Sequence, residues 1–596
     1  MSNTDGKLIE IEFQPGLHRQ GTPYAEKRSW VDCDRVRWRQ GRPEAMRGRT
    51  RLTTASFIGT SRAILPWIQN NGEDDLALGT EAKLYVVQGG ALYDVTPTRT
   101  SVSVSGALNT TSGATSVICS SAAHGLTTGD YVVFTSQTVT VGGNFYLTGT
   151  QYPVSVVDAD SFLFVASVTA AATSVNAGNV NMDFLLPTGT SINIGGLGYG
   201  AGNYNSGTYN TPRTGVTLFM RRWAFDTWGE DLLANPTGGR IYTWNASIGT
   251  STRATIIAPA VSLCDFIVVS PEARHLVMFG CNDTAGVYQG GLIRWSSSEN
   301  YADIVASAGN TAGSLFVTGS SRMIGAIRGK GTIVFWTDNG VHSLQYRAPP
   351  IVFSSFKLGD GCGLIGPHAA IESEGTIYWM AHDNFYVYDG RVSIMDCPLQ
   401  RDIFNDLNIV QKEKVYAGTN DEFGEIIWLY PAASASECTR YVIFNKTEKT
   451  WYWGSTSATT WIDSNYHDSV LTGLTNGYVY YEDQPSVYTD DGAAYESYVS
   501  SGAFTLADGD EVLFIDKIVP DFVFINDGVV DLQLTTRKYL TDSATIKGPF
   551  RVSAGTRRIS MRARGMHHTF RAASSTLNSG WRMGKLRFNV FPDGKR

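Results

Sequence analysis

The stretch DNFYVYDGRV (383–392) returns in altered form along most of the chain, and its spacing narrows the possible folds more than any other feature. Relatives of it stand at 81–96 (EAKLYVVQGGALYDVT), 238–245 (GGRIYTWN), 290–297 (GGLIRWSS), 339–346 (NGVHSLQY), 439–453 (TRYVIFNKTEKTWYW) and 476–483 (NGYVYYED). Each is a turn of Gly, Asn or Asp followed by a strand of alternating apolar residues. Asn-Gly and Asp-Asn supply the positive φ that tight hairpins need. With Ile241, Ile293, Leu344, Val387, Val442 and Val479 as markers, the repeats are 52, 51, 43, 55 and 37 residues apart. A period of roughly 40–50 residues with several strands per unit is the mark of propeller blades, which bury their faces by stacking on one another. A plain β-sandwich or an irregular run of hairpins is the competing arrangement. Six or seven blades both fit the pattern.

At 596 residues the chain exceeds what one core can hold. Its 62 glycines, 12% aromatic and 17% charged residues belong to a turn-rich β protein. The best helical stretch is short, QRDIFNDLNIVQKE at 400–413. The expected fold is therefore all-β: a β-propeller with an inserted small β-barrel or sandwich module and a basic C-terminal β-sandwich platform. The expected divisions are an N-terminal arm at 1–60 that joins the platform, the start of the propeller at 61–97, the insert at 98–188, the rest of the propeller at 189–485 and the C-terminal sandwich at 486–596. The insert differs from its surroundings in being rich in Ser, Thr, Ala and Val, with AHGLTTGDYVVF (123–134) and YPVSVVDADSFLFVA (152–166) as its strongest strands.

Charge is distributed unevenly. The net charge is −7, yet 18–51 carries +6 and 544–596 carries +11, leaving −24 for the rest. If the two ends meet, they form one positive module on an acidic body, suited to an acidic partner or to nucleic acid. In RRISMRARG, alternation puts Arg558, Ser560, Arg562 and Arg564 on one face and Ile559, Met561 and Ala563 on the other. No secretory signal opens the chain and no apolar run approaches the 18 residues of a membrane span. Seven scattered cysteines with no CxxC pair argue against a disulfide framework or a zinc site. The expectation is a reduced protein made in the cytoplasm.

Signatures of chemistry are weak. The glycine run at 195–202 lacks the dinucleotide fingerprint, and neither a P-loop nor HExxH occurs. His567-His568 has no carboxylates close in sequence, and the acidic turns at 490–492 and 508–511 lack calcium-loop spacing. No catalytic, metal-binding or cofactor-binding residues are expected. A glycosidase with two carboxylates across a propeller channel remains an alternative, because such pairing is invisible without the fold.

Several stretches together resemble the tail nozzle proteins of short-tailed bacteriophages, also called tail tubular protein B or the tail hub. They are RSWVDCDRVRWRQGRPEAMRG, the glycine–tyrosine bridge GGLGYGAGNYNSGTYNTPR, RRWAFDTWGEDLLANPTGGRIYTW, GGLIRWSSSENYADI, KGPFRVSAGTRRISMRARG and GWRMGKLRFNVFPDGKR. The insert also resembles a small β-module common in phage structural proteins. The resemblance implies a structural virion protein without enzymatic activity, made in the host cytoplasm and built into the phage tail. It implies a homo-hexameric ring docked beneath the head-to-tail adaptor ring, with tail fibres or spikes as neighbours and double-stranded DNA passing through its channel. An acidic wall suits such a conduit, since a basic one would hold the phosphates. Arg558, Arg562 and Arg564, with Arg35, Arg37 and Arg39 from the other basic end, are the candidate contacts to the adaptor or to a neighbouring subunit. The other alternative is a receptor-binding tail protein with 98–188 as its adhesin.

Overall fold

The structure is a computed structural model that describes residues 6–21, 28–146, 150–193, 219–257, 263–464, 466–467, 469–506 and 511–594. Strand accounts for 54% of it and helix for 3%, so the chain is all-β. Two compact units divide the chain, one of 1–53, 324–345 and 355–596, the other of 54–323 and 346–354.

Among the described residues, seven four-stranded sheets follow one another as propeller blades. The second unit holds those at 61–94, 223–256 and 264–316; the first unit holds those at 370–394, 416–455 and 458–481, and most of the sheet at 323–360. In six of the seven the strands are taken in simple chain order. The seventh has three strands from 458–481 and a fourth, Thr50–Arg51, from the N-terminal segment, with Tyr480 opposite Arg51 and Tyr481 opposite Thr50. The repeat now has a structural meaning. Ile293, Leu344, Val387, Val442 and Val479 all lie in the third strand of their sheets, and Ile241 immediately precedes one. DNFYVYDGRV is the third strand of the fifth sheet (Phe385–Tyr388) with its two turns, the second using Gly390 at φ 112°.

Apolar alternation becomes continuous burial where a strand is covered on both faces. Glu425–Tyr430 is buried at all six positions. Within the first unit, tryptophans stitch neighbouring sheets. Trp336 meets Trp379 edge-on at 5.4 Å, and Phe385 packs on Trp428 and Trp451, each at 4.9 Å. Gly418 is required by one such approach, because a Cβ there would overlap the Trp461 indole, whose Nε1 donates to the Thr419 carbonyl at 2.8 Å. The helical stretch at 400–413 forms an α-helix over Gln400–Asp406 and a 3-10 helix over Ile409–Lys414. They are separated where Leu407 turns extended and the Asn408 side chain accepts from Val410 N.

The insert is a closed six-stranded barrel from Thr98 to Leu185. Its centre is aromatic: Phe134, Tyr152 and Phe164 pack within 4.7–5.8 Å of one another, with Phe162 and Phe184 beside them. On the neighbouring blade of the same unit, Asp94 is bound by Lys83 (2.7 Å), Arg253 (3.2 Å) and the barrel's Gln151 (2.5 Å). Those cations hold the Asp94 carboxyl down at about 2, against the effect of burial.

The platform in the first unit is woven from both chain ends. Lys7–Ile11 pairs with Leu586–Pro592, and that sheet continues through Leu513–Val519 to Ile559–Gly565. A six-stranded sheet includes Ser29–Asp34, Ser497–Ser501 and His567–Ser574, and a four-stranded one joins Arg42–Ala45 to Gly580–Met583. All seven cysteines are buried free thiols. No helix among the described residues is long and apolar enough to cross a membrane.

Candidate docking surfaces of the platform

The N-terminal basic segment enters the first unit as a comb. Arg35, at φ 50°, links strand Ser29–Asp34 to Val36–Arg39; the turn at Gln40-Gly41 returns the chain along Arg42–Ala45. Arg37 points inward and is 1% exposed. A buried guanidinium must be fully paired. Arg37 is: Nε donates to Glu425 Oε1 (2.9 Å), Nη2 to Glu425 Oε2 (3.1 Å), and Nη1 and Nη2 to the two oxygens of Asp483 (2.9 and 2.5 Å). Tyr452 donates to Glu425 (2.5 Å), Asn420 donates to Asp483 (2.6 Å), and the Phe423 ring lies 3.6 Å from the guanidinium. Burial opposes the charge on Arg37, but Asp483 and Glu425 outweigh it and raise its pKa well above the usual value. Burial also pushes the Glu425 carboxyl up, against the pull of Arg37.

Further teeth follow. Arg47 takes both oxygens of Glu422 at 2.8 Å, Arg49 grips Asp490 (2.5 and 2.7 Å) and Glu482 (3.1 Å), and Arg51 pairs with Asp491. Arg35 reaches Asp490 at 3.2 Å and stacks on Tyr495 at 4.6 Å. The sequence reading grouped Arg35, Arg37 and Arg39 as outward contacts, whereas the structure places them differently. Arg37 is enclosed by its own chain and Arg35 is half-buried and paired; only Arg39 is exposed, 5.8 Å from the Phe423 ring. Asp490 and Asp491, in the acidic turn at 490–492, are partners of the comb. The signal for this was present as Arg47, Arg49 and Arg51 at alternate positions and as the paired acids 482–483 and 490–491.

The C-terminal basic segment is arranged oppositely. Along Ile559–Gly565, Ile559, Met561 and Ala563 are buried, while Ser560, Arg562 and Arg564 are exposed, as is Arg558 just before the strand. Arg564 pairs with Asp593 at 2.5 Å. Arg558 and Arg562 have no ion pair among the described residues. Behind this sheet the ring of His568 is fully buried, with no hydrogen-bond partner for either nitrogen among the described residues. Burial, with a smaller contribution from His567, pushes its pKa down to about 4.

One cleft of about 340 Å³ in the first unit gathers carboxylates beside aromatic rings. Asp32 accepts from Trp453 Nε1 (3.1 Å) and from the Tyr498 hydroxyl (3.0 Å), Asp402 pairs with Arg19 (3.1 Å) and Asp406 with Arg440 (3.7 Å). Among the described residues no group of three His, Cys, Asp or Glu could hold a metal ion. The bridge at 195–211 and most of the acidic turn at 508–511 lie outside the described residues.

No protein-family model and no curated protein matches the chain. Solved structures do, at a distance. BamB from Moraxella catarrhalis is 13% identical over 47% of this chain and 79% of its own, with a TM-score of 0.27. An exo-β-1,3-galactanase from Phanerochaete chrysosporium, solved with galactose, is 7% identical over 62% and 95%, TM-score 0.25. The endosialidase of phage phi92 is 11% identical over 72% and 64%, TM-score 0.18. At these identities the likeness concerns the fold alone.

Proposed function

We propose that the chain is a structural protein of a phage tail: a hexameric nozzle that docks under a head-to-tail adaptor ring and conducts double-stranded DNA. The observation that carries this reading is the contrast within the platform. It is knitted from both chain ends, Arg37, Arg47 and Arg49 are tied to acids of the same unit, and Arg558 and Arg562 face outward with no ion pair among the described residues. Exposed cations on one face of a sheet, next to a chain otherwise at −24, suit docking on an acidic rim. A repeated head-to-tail contact must close into a ring or run on as a filament. The test is electron microscopy of the purified protein mixed with its adaptor ring. A six-fold ring with a hole wide enough for a duplex is expected; monomers that ignore the adaptor would overturn the reading. Arg562→Glu should abolish adaptor docking, and a variant that docks normally but binds free DNA less well would assign the row to DNA instead.

The second reading, a tail glycosidase, rests on the cleft of Asp32, Asp402 and Asp406 beside Trp453. Turnover of a host surface glycan that Asp402→Asn abolishes would establish it.

A further inference from the structure

The cleft beside Asp32 holds more acid than its own cations neutralise. Its charged lining is Asp32, Asp402 and Asp406 against Arg19 and Arg440. Asp402 is taken by Arg19 (3.1 Å), which also donates to the Val31 carbonyl (3.3 Å) and lies 5.0 Å from the centre of the Trp453 ring. Asp406 is taken by Arg440 (3.7 Å). Arg571, which stacks on the Tyr498 ring at 3.7 Å, is engaged by Glu496 at 2.8 Å. Asp32 is left with no ion pair among the described residues.

What holds Asp32 is neutral. Trp453 Nε1 donates to one oxygen (3.1 Å) and the Tyr498 hydroxyl to the other (3.0 Å). A carboxylate offers about four acceptor sites, so each oxygen keeps one for another donor. Asp34 repeats the pattern two residues along the same strand, Ser29–Asp34. Its oxygens accept from Ser455 N (2.9 Å) and Ser455 Oγ (2.5 Å), and it too has no ion pair among the described residues. Tyr430 also lines the cleft. It is 2% exposed, and its hydroxyl has no hydrogen-bond partner among the described residues. Burial, with a smaller push from Asp406, raises its pKa, so the hydroxyl stays neutral and its oxygen is open to a donor. Leaving such a group unpaired is costly unless a ligand supplies the partner.

We propose that this cleft binds the primary ammonium of a small organic amine, with Asp32 as its counter-ion and the Tyr430 hydroxyl as a second acceptor. An ammonium carries three donors and no acceptor, which matches the unused sites of Asp32 and Tyr430. The aromatic rings that line the cleft suit a cation as well. Its volume of about 340 Å³ is that of a small-molecule site. The proposal shares its cleft with the glycosidase reading but needs no bond cleavage: an amine that binds without turnover satisfies it whether or not the cleft cleaves a glycan.

The test is isothermal titration calorimetry of the full chain with glucosamine, putrescine and N-acetylglucosamine. The first two present the same ammonium on a sugar and on a free diamine, and whichever binds more tightly names the source. N-acetylglucosamine, whose nitrogen is uncharged, should bind about tenfold or more weakly than glucosamine. Asp32→Asn should weaken amine binding about tenfold or more, and Tyr430→Phe by about threefold to tenfold. Tyr430→Phe breaks no hydrogen bond of the free protein, so it keeps the test open if Asp32→Asn fails to fold. Added salt should weaken binding. If neither amine binds, the proposal is overturned. N-acetylglucosamine binding as tightly as glucosamine, or amine affinity unchanged in Tyr430→Phe and in folded Asp32→Asn, overturns it as well.

Discussion

The two basic segments look alike in sequence and live in opposite environments. Arg35, Arg37, Arg47 and Arg49 of the N-terminal segment find acids 375 to 455 residues away and are drawn inward. Of the C-terminal arginines, Arg571 and Arg582 are half-buried and reach Glu496 and Glu44, and Arg564 pairs with Asp593, while Arg558 and Arg562 stay exposed with no ion pair among the described residues. Positive charge density therefore says little about a binding surface until the available acids have been assigned. Arg558 and Arg562 are the positions of the C-terminal row for which the described residues supply no acid.

The sharpest way to break this comparison is Arg37→Met. It leaves Glu425 and Asp483 buried without their cation and should cost about 3–5 kcal/mol, read as a fall in melting temperature. Next is pH. His568 titrates near 4 in the fold and near 6.5 when unfolded, so the fold favours its neutral form. Stability is then full above about pH 6.5 and declines as pH falls through the window to about 4, by about 3 kcal/mol in all. Urea titrations at stepped pH should show this slope, and His568→Phe should remove it. Arg51→Ala, which breaks a solvent-screened pair with Asp491, should lower the melting temperature far less than Arg37→Met. Arg558→Ala and Arg562→Glu should change stability by about 0.5 kcal/mol or less. A large loss of stability in Arg562→Glu would erase the distinction drawn between the two segments.

Local patterns were legible from the residues. The third strand of each blade carries the alternation that made the repeat visible, and the strand after Arg558 buries and exposes the residues that its period of two requires. The insert stood out because its composition changes at its borders. What local pattern could not show was pairing across the chain. Arg37 bonds Glu425 and Asp483 at separations of 388 and 446 residues, which no periodicity encodes. Thr50–Arg51 is two residues long, too short for any alternation to reveal that it completes the last blade. The cleft of Asp32, Asp402 and Asp406 was hidden for the same reason: its acids come from segments that meet only in the fold.

That two-residue strand has a consequence during synthesis. Its partner, Val479–Tyr481, leaves the ribosome about 430 residues later, a delay of about 20 to 90 s at ordinary elongation rates. Until then the early segment must wait unpaired, and a nascent chain cut short before residue 479 can never complete its last blade. The seam thus ties the first segment of the chain to its last blade, and only a chain carried past that residue supplies both halves of the sheet.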